Sequence, residues 1–410
     1  MRNCRMRAPR RWLPAVLAGL ATIGAYGVAQ YAFGVLIVPI AETEGWSAGQ
    51  LSAAFSLGLL LAGPVAVGSG QALDHVGSRP VLLGALLGGA ALLLASSFAT
   101  SSPAFILLWG SGSACIGGGL FYPMTMAVLA RMYAVEDRTR AFAVLTLLGA
   151  LASPAFYPLA GGLVEVMSWR EAIRVLIACM LALVLPAAIA LGSKPALRAG
   201  GPGVPLVRLL RDPSVWRFFL AVALALGAVN ALHLHQVAAL HEAGLTVAVA
   251  SLVAGLRGFL QIPGRLFLAS LVSRLGMFGS LGLSYGLLTA GGLILLIALV
   301  TGAGGVLGVP FAISTGLAVG LLSPLHGLIA AETYGVERLG ALSGAQQLVA
   351  SVAGAAAAWS TGLALDATGS YRASVTGIAV AFALAIAALA WQRRALVSRE
   401  RPSDPSPATR

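Results

Sequence analysis

Charge is what this sequence has least of. Only 10% of its 410 residues are charged, against about 25% in a soluble domain, and only 14 are acidic. Lysine is nearly absent: of 26 basic residues, all but Lys194 are Arg. A soluble particle of this length could not cover its surface with so few charges. Cysteine is scarce too. Cys4, Cys115 and Cys179 are an odd set without metal or redox spacing, which excludes a disulfide scaffold or zinc ribbon. Also missing are H-E-x-x-H, G-x-S-x-G and the phosphate-binding loop, so nothing marks an enzyme, and no cofactor or metal is expected.

What is present is hydrophobic. Apolar residues make up 58%, with 51 Gly besides, and the mean hydropathy is +0.90. Those numbers exclude disorder, and high Gly is a property of membrane helices. Runs of about 20 apolar residues, the length that crosses a bilayer, occur twelve times. They lie at 12–40, 49–73, 80–99, 103–130, 141–166 and 171–192, then at 215–240, 247–273, 277–300, 304–331, 340–364 and 371–391. The expectation is an all-α membrane protein of 12 transmembrane helices in two six-helix bundles.

The basic residues fix an orientation. Twenty-one of them fall in the two tails and the even-numbered loops, three (Arg170, Arg174, Arg372) on the other side, and two inside span 8. Positive charge stays cytoplasmic, so both termini are expected in the cytoplasm, which requires an even number of spans. The chain divides into an N-tail (1–11), a first bundle (12–192), a cytoplasmic linker rich in Pro, Gly and Arg (193–214), a second bundle (215–391) and a C-tail (392–410). The start resembles a signal peptide, but its apolar run is too long and no cleavage site follows. No basic stripe is interleaved with stacking aromatics, so nucleic acid is not an expected partner despite the net charge of +12.

The two halves repeat. Gly70-Gln-Ala-Leu-Asp74-His-Val-Gly77-Ser-Arg79 after span 2 is echoed by Ala269-Ser-Leu-Val-Ser273-Arg274-Leu-Gly276 after span 8, and internal repeats are a feature of transporters. Gly70 would let helices approach, Gly77 would permit a tight turn, and Asp74 could pair with a cation or cap a neighbouring helix. The first string resembles the loop 2–3 signature of the major facilitator superfamily, with His75 in place of an Arg. The resemblance implies that Gly70, Asp74, Gly77 and Arg79 form a gating cluster latching the two halves on the cytoplasmic side.

Other strings are similar to the monocarboxylate and oxalate/formate branch. They are Tyr31-Ala-Phe-Gly in span 1, Gly117-Gly-Gly-Leu-Phe-Tyr-Pro123 in span 4, Ser168-Trp169-Arg170 after span 5 and Gly264-Arg265 in span 8. Departures from the branch are Val35 where animal carriers have Lys, Gln261 where they have Asp, and no Lys in span 11. Span 5 carries a fragment, Pro158-Leu-Ala-Gly161-Gly162, of a helix-bending motif common in antiporters. The resemblance implies a secondary active transporter working by alternating access, in the inner membrane of a prokaryotic cell. A monomer embedded in membrane lipid is expected, moving a small-molecule substrate with a coupled proton or counter-substrate.

The candidate binding residues follow from intramembrane polarity. Arg257, Gln261 and Arg265 recur at i, i+4 and i+8 in span 8. A central Arg is costly and normally faces a cavity or partner, while every acidic residue lies in a loop or near a span end. An unpaired guanidinium fork suits a carboxylate. The expected substrate is therefore a small organic anion, a monocarboxylate or related carboxylate, with Arg265 the main contact and Arg257 secondary. Tyr26 and Gln30, on one face at i, i+4, and Tyr31 are expected in the cavity wall with Gln346 of span 11. His233, His235 and His326 are the side chains whose ordinary titration range suits proton coupling. The alternative, efflux of an apolar or cationic drug-like compound, draws on the span 5 fragment and the missing Lys and Asp.

Overall fold

The computed structural model describes residues 11–192, 211–335 and 339–400. The expectations for the rest of the N-tail, most of the linker, Arg338 and the end of the C-tail lie outside the described residues. Among the described residues, twelve helices are long and apolar enough to cross a membrane. In the first bundle they are α1 Leu13–Glu44, α2 Ala48–Val76, α3 Ser78–Ser96, α4 Ser102–Met132, α5 Val135–Val166 and α6 Trp169–Ala190. The second bundle has α7 Pro213–Glu242, α8 Val247–Leu266, α9 Leu268–Thr301, α10 Gly304–Tyr334, α11 Leu342–Thr368 and α12 Tyr371–Ser398.

Helix starts follow capping chemistry. Ser47 with Gln50 and Ser168 with Glu171 form capping boxes at α2 and α6, Asp212 caps α7 ahead of Pro213, and Thr246 caps α8. In each case a side-chain oxygen takes a backbone N–H that the helix itself cannot satisfy. The repeat is visible in backbone geometry. Gly77 has φ 85° and Gly276 has φ 68°, a left-handed conformation that favours glycine. Gly276 breaks the helical run at Leu268–Thr301, so the last turns of span 8 precede it and span 9 follows it.

Several spans are interrupted. Span 1 has a π-helical turn at Gly27–Ala32, span 4 breaks at Phe121, span 5 at Ala150–Leu151 and span 8 at Leu260. Backbone breaks at membrane depth persist where protein or a cavity can satisfy the freed groups.

The bundles meet through α2 with α11, α5 with α8, and α1 with α7. They touch in the half of each helix remote from the chain termini. Gly34 makes this approach possible: a Cβ there would stand 2.6 Å from the Leu234 carbonyl oxygen. Ser47 Oγ and the Gly49 amide both donate to Asp366 across the interface, and Ser56 donates to the Ala355 carbonyl. Among the described residues, the one hydrogen bond between bundles on the terminal side of the middle is from Arg265 to the Thr146 carbonyl, 3.3 Å. The molecule is thus closed on one side and parted on the side of its termini.

Candidate functional site

At the middle of the interface the two bundles bring together two guanidinium groups and a run of tyrosines. Arg257, on α8, is 1% exposed. Its Nε donates to the Thr315 hydroxyl of α10 at 3.1 Å, while Nη2 is buried without a partner. Arg265 lies two turns further along, past the break at Leu260. It is half-buried, holds the Thr146 carbonyl and leaves its Nε without a partner. Ion pairs among the described residues join Arg11 to Asp137, Arg131 to Asp74 and Arg170 to Glu44. None reaches Arg257 or Arg265. A guanidinium offers five N–H donors, so both groups keep bonding capacity in a place where an uncompensated charge is expensive.

Tyr31, from the π turn of α1, lies within electrostatic range of both guanidinium groups. Its ring meets Tyr157 of α5 at 5.5 Å and His233 of α7, edge-on, at 5.7 Å. Arg257 also interacts with Tyr157 and His233, and Arg265 with Tyr122. Tyr26 and Gln30 reach different partners on either side of the π turn. Gln30 reaches across to Asn230 on α7 at 3.0 Å, whereas Tyr26 stacks on Phe121 at 3.7 Å and on Tyr31, five residues away, at 6.3 Å.

A layer of hydrogen bonds seals this cluster on the closed side. The Tyr157 hydroxyl donates to the His233 carbonyl and accepts from Gln236 Nε2, each at 2.7 Å. All three residues are buried, and His233 Nε2 and Gln236 Oε1 have no partner. Further out, the fully buried His235 ring contacts Ser52 of α2 (3.2 Å), the Ala358 carbonyl of α11 (3.1 Å) and the Tyr371 hydroxyl of α12 (3.1 Å).

The remaining candidates do not join the cluster. His326 is inside the second bundle, bonded to Tyr285 at 2.8 Å. Gln346 is half-buried on α11 and makes no hydrogen bond among the described residues. Gln261 is buried on α8, its backbone packed under Gly320 of α10. Sequence reading gave no role to Tyr157, Gln236, Phe121, Tyr122, Thr315 or Asp366. Tyr157 had one signal, its place beside Pro158 in the bending fragment, and Phe121 and Tyr122 lay in the span 4 string that carries the branch resemblance; the others are polar residues whose partners lie on distant spans.

The loop 2–3 string is also differently engaged. A Cβ on Gly70 would touch nothing, because the bundles are parted there and no helix approaches it. Asp74 pairs with Arg131 of α4, which also donates to the Leu73 carbonyl. Arg79 donates to the Ile189 carbonyl of α6 at 2.9 Å. In this state the cluster ties the first bundle to itself. Among the described residues no group of His, Cys, Asp or Glu could hold a metal ion.

Comparison with known proteins places this arrangement. Residues 19–358 match the Major Facilitator Superfamily. Monocarboxylate transporter 13 of Bos taurus is 31% identical over 394 residues, covering 91% of this chain and 87% of that protein. Its Rattus norvegicus counterpart is 29% identical over 390 residues, covering 91% and 86%. Among solved structures, the nucleoside transporter NupG superposes with a TM-score of 0.76 at 16% identity, covering 94% of this chain and 99% of that one. A D-xylose–proton symporter superposes at 0.72 with 14% identity, covering 92% and 96%; at such identities the likeness concerns the fold. Twelve spans, two bundles closed on one side of a buried polar centre, and a match over most of the length agree: the chain belongs to the major facilitator superfamily, as a multi-pass membrane protein that moves a small molecule by alternating access.

Proposed function

We propose that the transported molecule is a small organic anion, a monocarboxylate or related carboxylate, bound between the bundles by Arg257 and Arg265. The observation that carries this reading is the pair of intramembrane guanidinium groups with unpartnered N–H donors and, among the described residues, no carboxylate paired with them. A carboxylate satisfies both deficits, charge and hydrogen bonds, and accepts a two-point fork. The similarity to two monocarboxylate transporters supports it. Tyr31 and Tyr157 are the neutral contacts beside the charges, and His233 is the histidine placed to exchange a proton there, since His235 and His326 hold interhelical bonds.

With the termini in the cytoplasm of an inner membrane, as the positive charges suggest, the parted side is the cytoplasmic one. Rocking to the other state would break the Tyr157, Asp366 and His235 layer and bring Gly70, Asp74, Gly77 and Arg79 against the second bundle as a latch. The rival reading, efflux of an apolar or cationic compound, draws on the aromatic rings around Tyr26, but the two guanidinium groups oppose a cation. A thermal-shift screen of the purified protein against carboxylates, lipophilic cations and neutral drugs tests the proposal. Stabilisation by carboxylates is expected; stabilisation by lipophilic cations and by no carboxylate overturns it.

A further inference from the structure

Resting on the anion reading above, we propose that the preferred substrate is an aromatic carboxylate, its ring received by Tyr26, Tyr31 and Phe121 and its carboxylate by the guanidinium pair. Charge alone would need no rings, yet rings surround the charges. Tyr26 stacks on Phe121 at 3.7 Å and meets Tyr122 at 5.1 Å and Tyr31 at 6.3 Å. Tyr31 is the hinge between the two chemistries, since it interacts with both Arg257 and Arg265.

These rings differ from the structural aromatics of the same bundle. Phe33, Phe105 and Trp109 stack on one another with 0% exposure. Tyr26, Tyr31, Phe121 and Tyr122 are each half-buried, although they face the interior between α1, α4, α5 and α7. Each keeps part of its surface uncovered, and a planar apolar group at the edge of the Tyr26–Phe121 stack would gain contact there.

The backbone of α1 is built to bring them together. In a regular α-helix residues five apart point about 140° away from each other. The π turn at Gly27–Ala32 cuts that offset to about 50°, so Tyr26 and Tyr31 come near enough to stack. Such turns cost helical hydrogen-bond quality and occur often at functional sites. A second break, at Phe121, presents Phe121 and Tyr122 from α4. Two irregular backbones thus converge on one aromatic platform beside two cations. A lactate-sized anion would reach the charges and leave the platform uncontacted.

Aromatic pairs contribute about 0.5–1.5 kcal/mol beyond area burial, which converts to a preference of up to about tenfold. The test is binding to the purified full-length protein, by calorimetry, of benzoate, phenylacetate and indole-3-acetate against cyclohexanecarboxylate, hexanoate, lactate and pyruvate. Phenylacetate is expected to bind about tenfold more tightly than cyclohexanecarboxylate, and Tyr26→Leu or Phe121→Leu to narrow that ratio to within about twofold. Equal affinity of aromatic and aliphatic acids for the wild type overturns this inference and leaves the anion site standing. Binding of no carboxylate at all overturns the anion site, and this inference with it. The wild-type panel decides the matter even where a variant fails to fold.

Discussion

Removing one oxygen from Tyr157 is expected to shift the balance between the two faces of this transporter. In the state described, the Tyr157 hydroxyl donates to the His233 carbonyl and accepts from Gln236 Nε2, both at 2.7 Å. Both bonds run from the first bundle to the second, so both are lost when this side opens. A protein hydrogen bond contributes about 0.5–1.5 kcal/mol net, so Tyr157→Phe should weaken the closed side by about 1–3 kcal/mol, a five- to 150-fold change in the equilibrium. The phenyl ring keeps the packing against Tyr31. The Gln236 amide, left without a partner when buried, regains water when the side opens, which pushes the same way. The assay is a distance measurement between spin labels at the exposed ends of α1 and α9, Glu42→Cys and Thr301→Cys, with Cys4, Cys115 and Cys179 replaced by Ser. The population with the longer distance should rise. A folded Tyr157→Phe protein whose distance distribution matches the wild type would refute the idea that these two bonds hold the side shut.

Arg265→Lys and Arg257→Lys should each lower carboxylate uptake into proteoliposomes by about tenfold or more, since Lys keeps the charge but loses the planar fork. Because Arg257 is the more completely enclosed, its replacement should be at least as damaging, and wild-type affinity in both variants would show that the anion binds elsewhere. Asp74→Asn removes the partner of Arg131 without touching the central cluster. It should slow uptake while leaving the dissociation constant within about twofold, and an equal loss of both would assign Asp74 to the binding site instead. Enclosing two guanidinium groups with no counter-anion leaves buried charge, at a cost of several kcal/mol. Exchange of internal for external anion should therefore outpace net uptake by about tenfold or more, and equal rates would show that the empty carrier reorients freely.

The sequence alone determined the number of spans and the repeat between the two halves. Hydrocarbon leaves the backbone only helix or a closed barrel, and continuous apolar runs of about 20 residues fit the helix, so run length is a direct readout; Ser47, Ser168, Asp212 and Thr246 cap by short-range chemistry. Gly77 and Gly276 are legible for the same reason, since a left-handed turn is a local demand. Arg257 and Arg265 also stood out, because an unmatched charge inside an apolar run is anomalous by itself. Only tertiary structure decided what those arginines face. Tyr157, His233 and Gln236 come from α5 and α7, and their meeting depends on how bundles dock, which no local pattern encodes. The phase of α1 was equally hidden: a π turn inserts one residue into the helical register, and it stacked Tyr26 on Tyr31. What Gly70 and Asp74 meet was also a matter of tertiary structure: among the described residues nothing approaches Gly70, and Asp74 pairs with Arg131 of its own bundle. One sequence serves both states of the cycle, and in this one the bundles are parted where those residues lie.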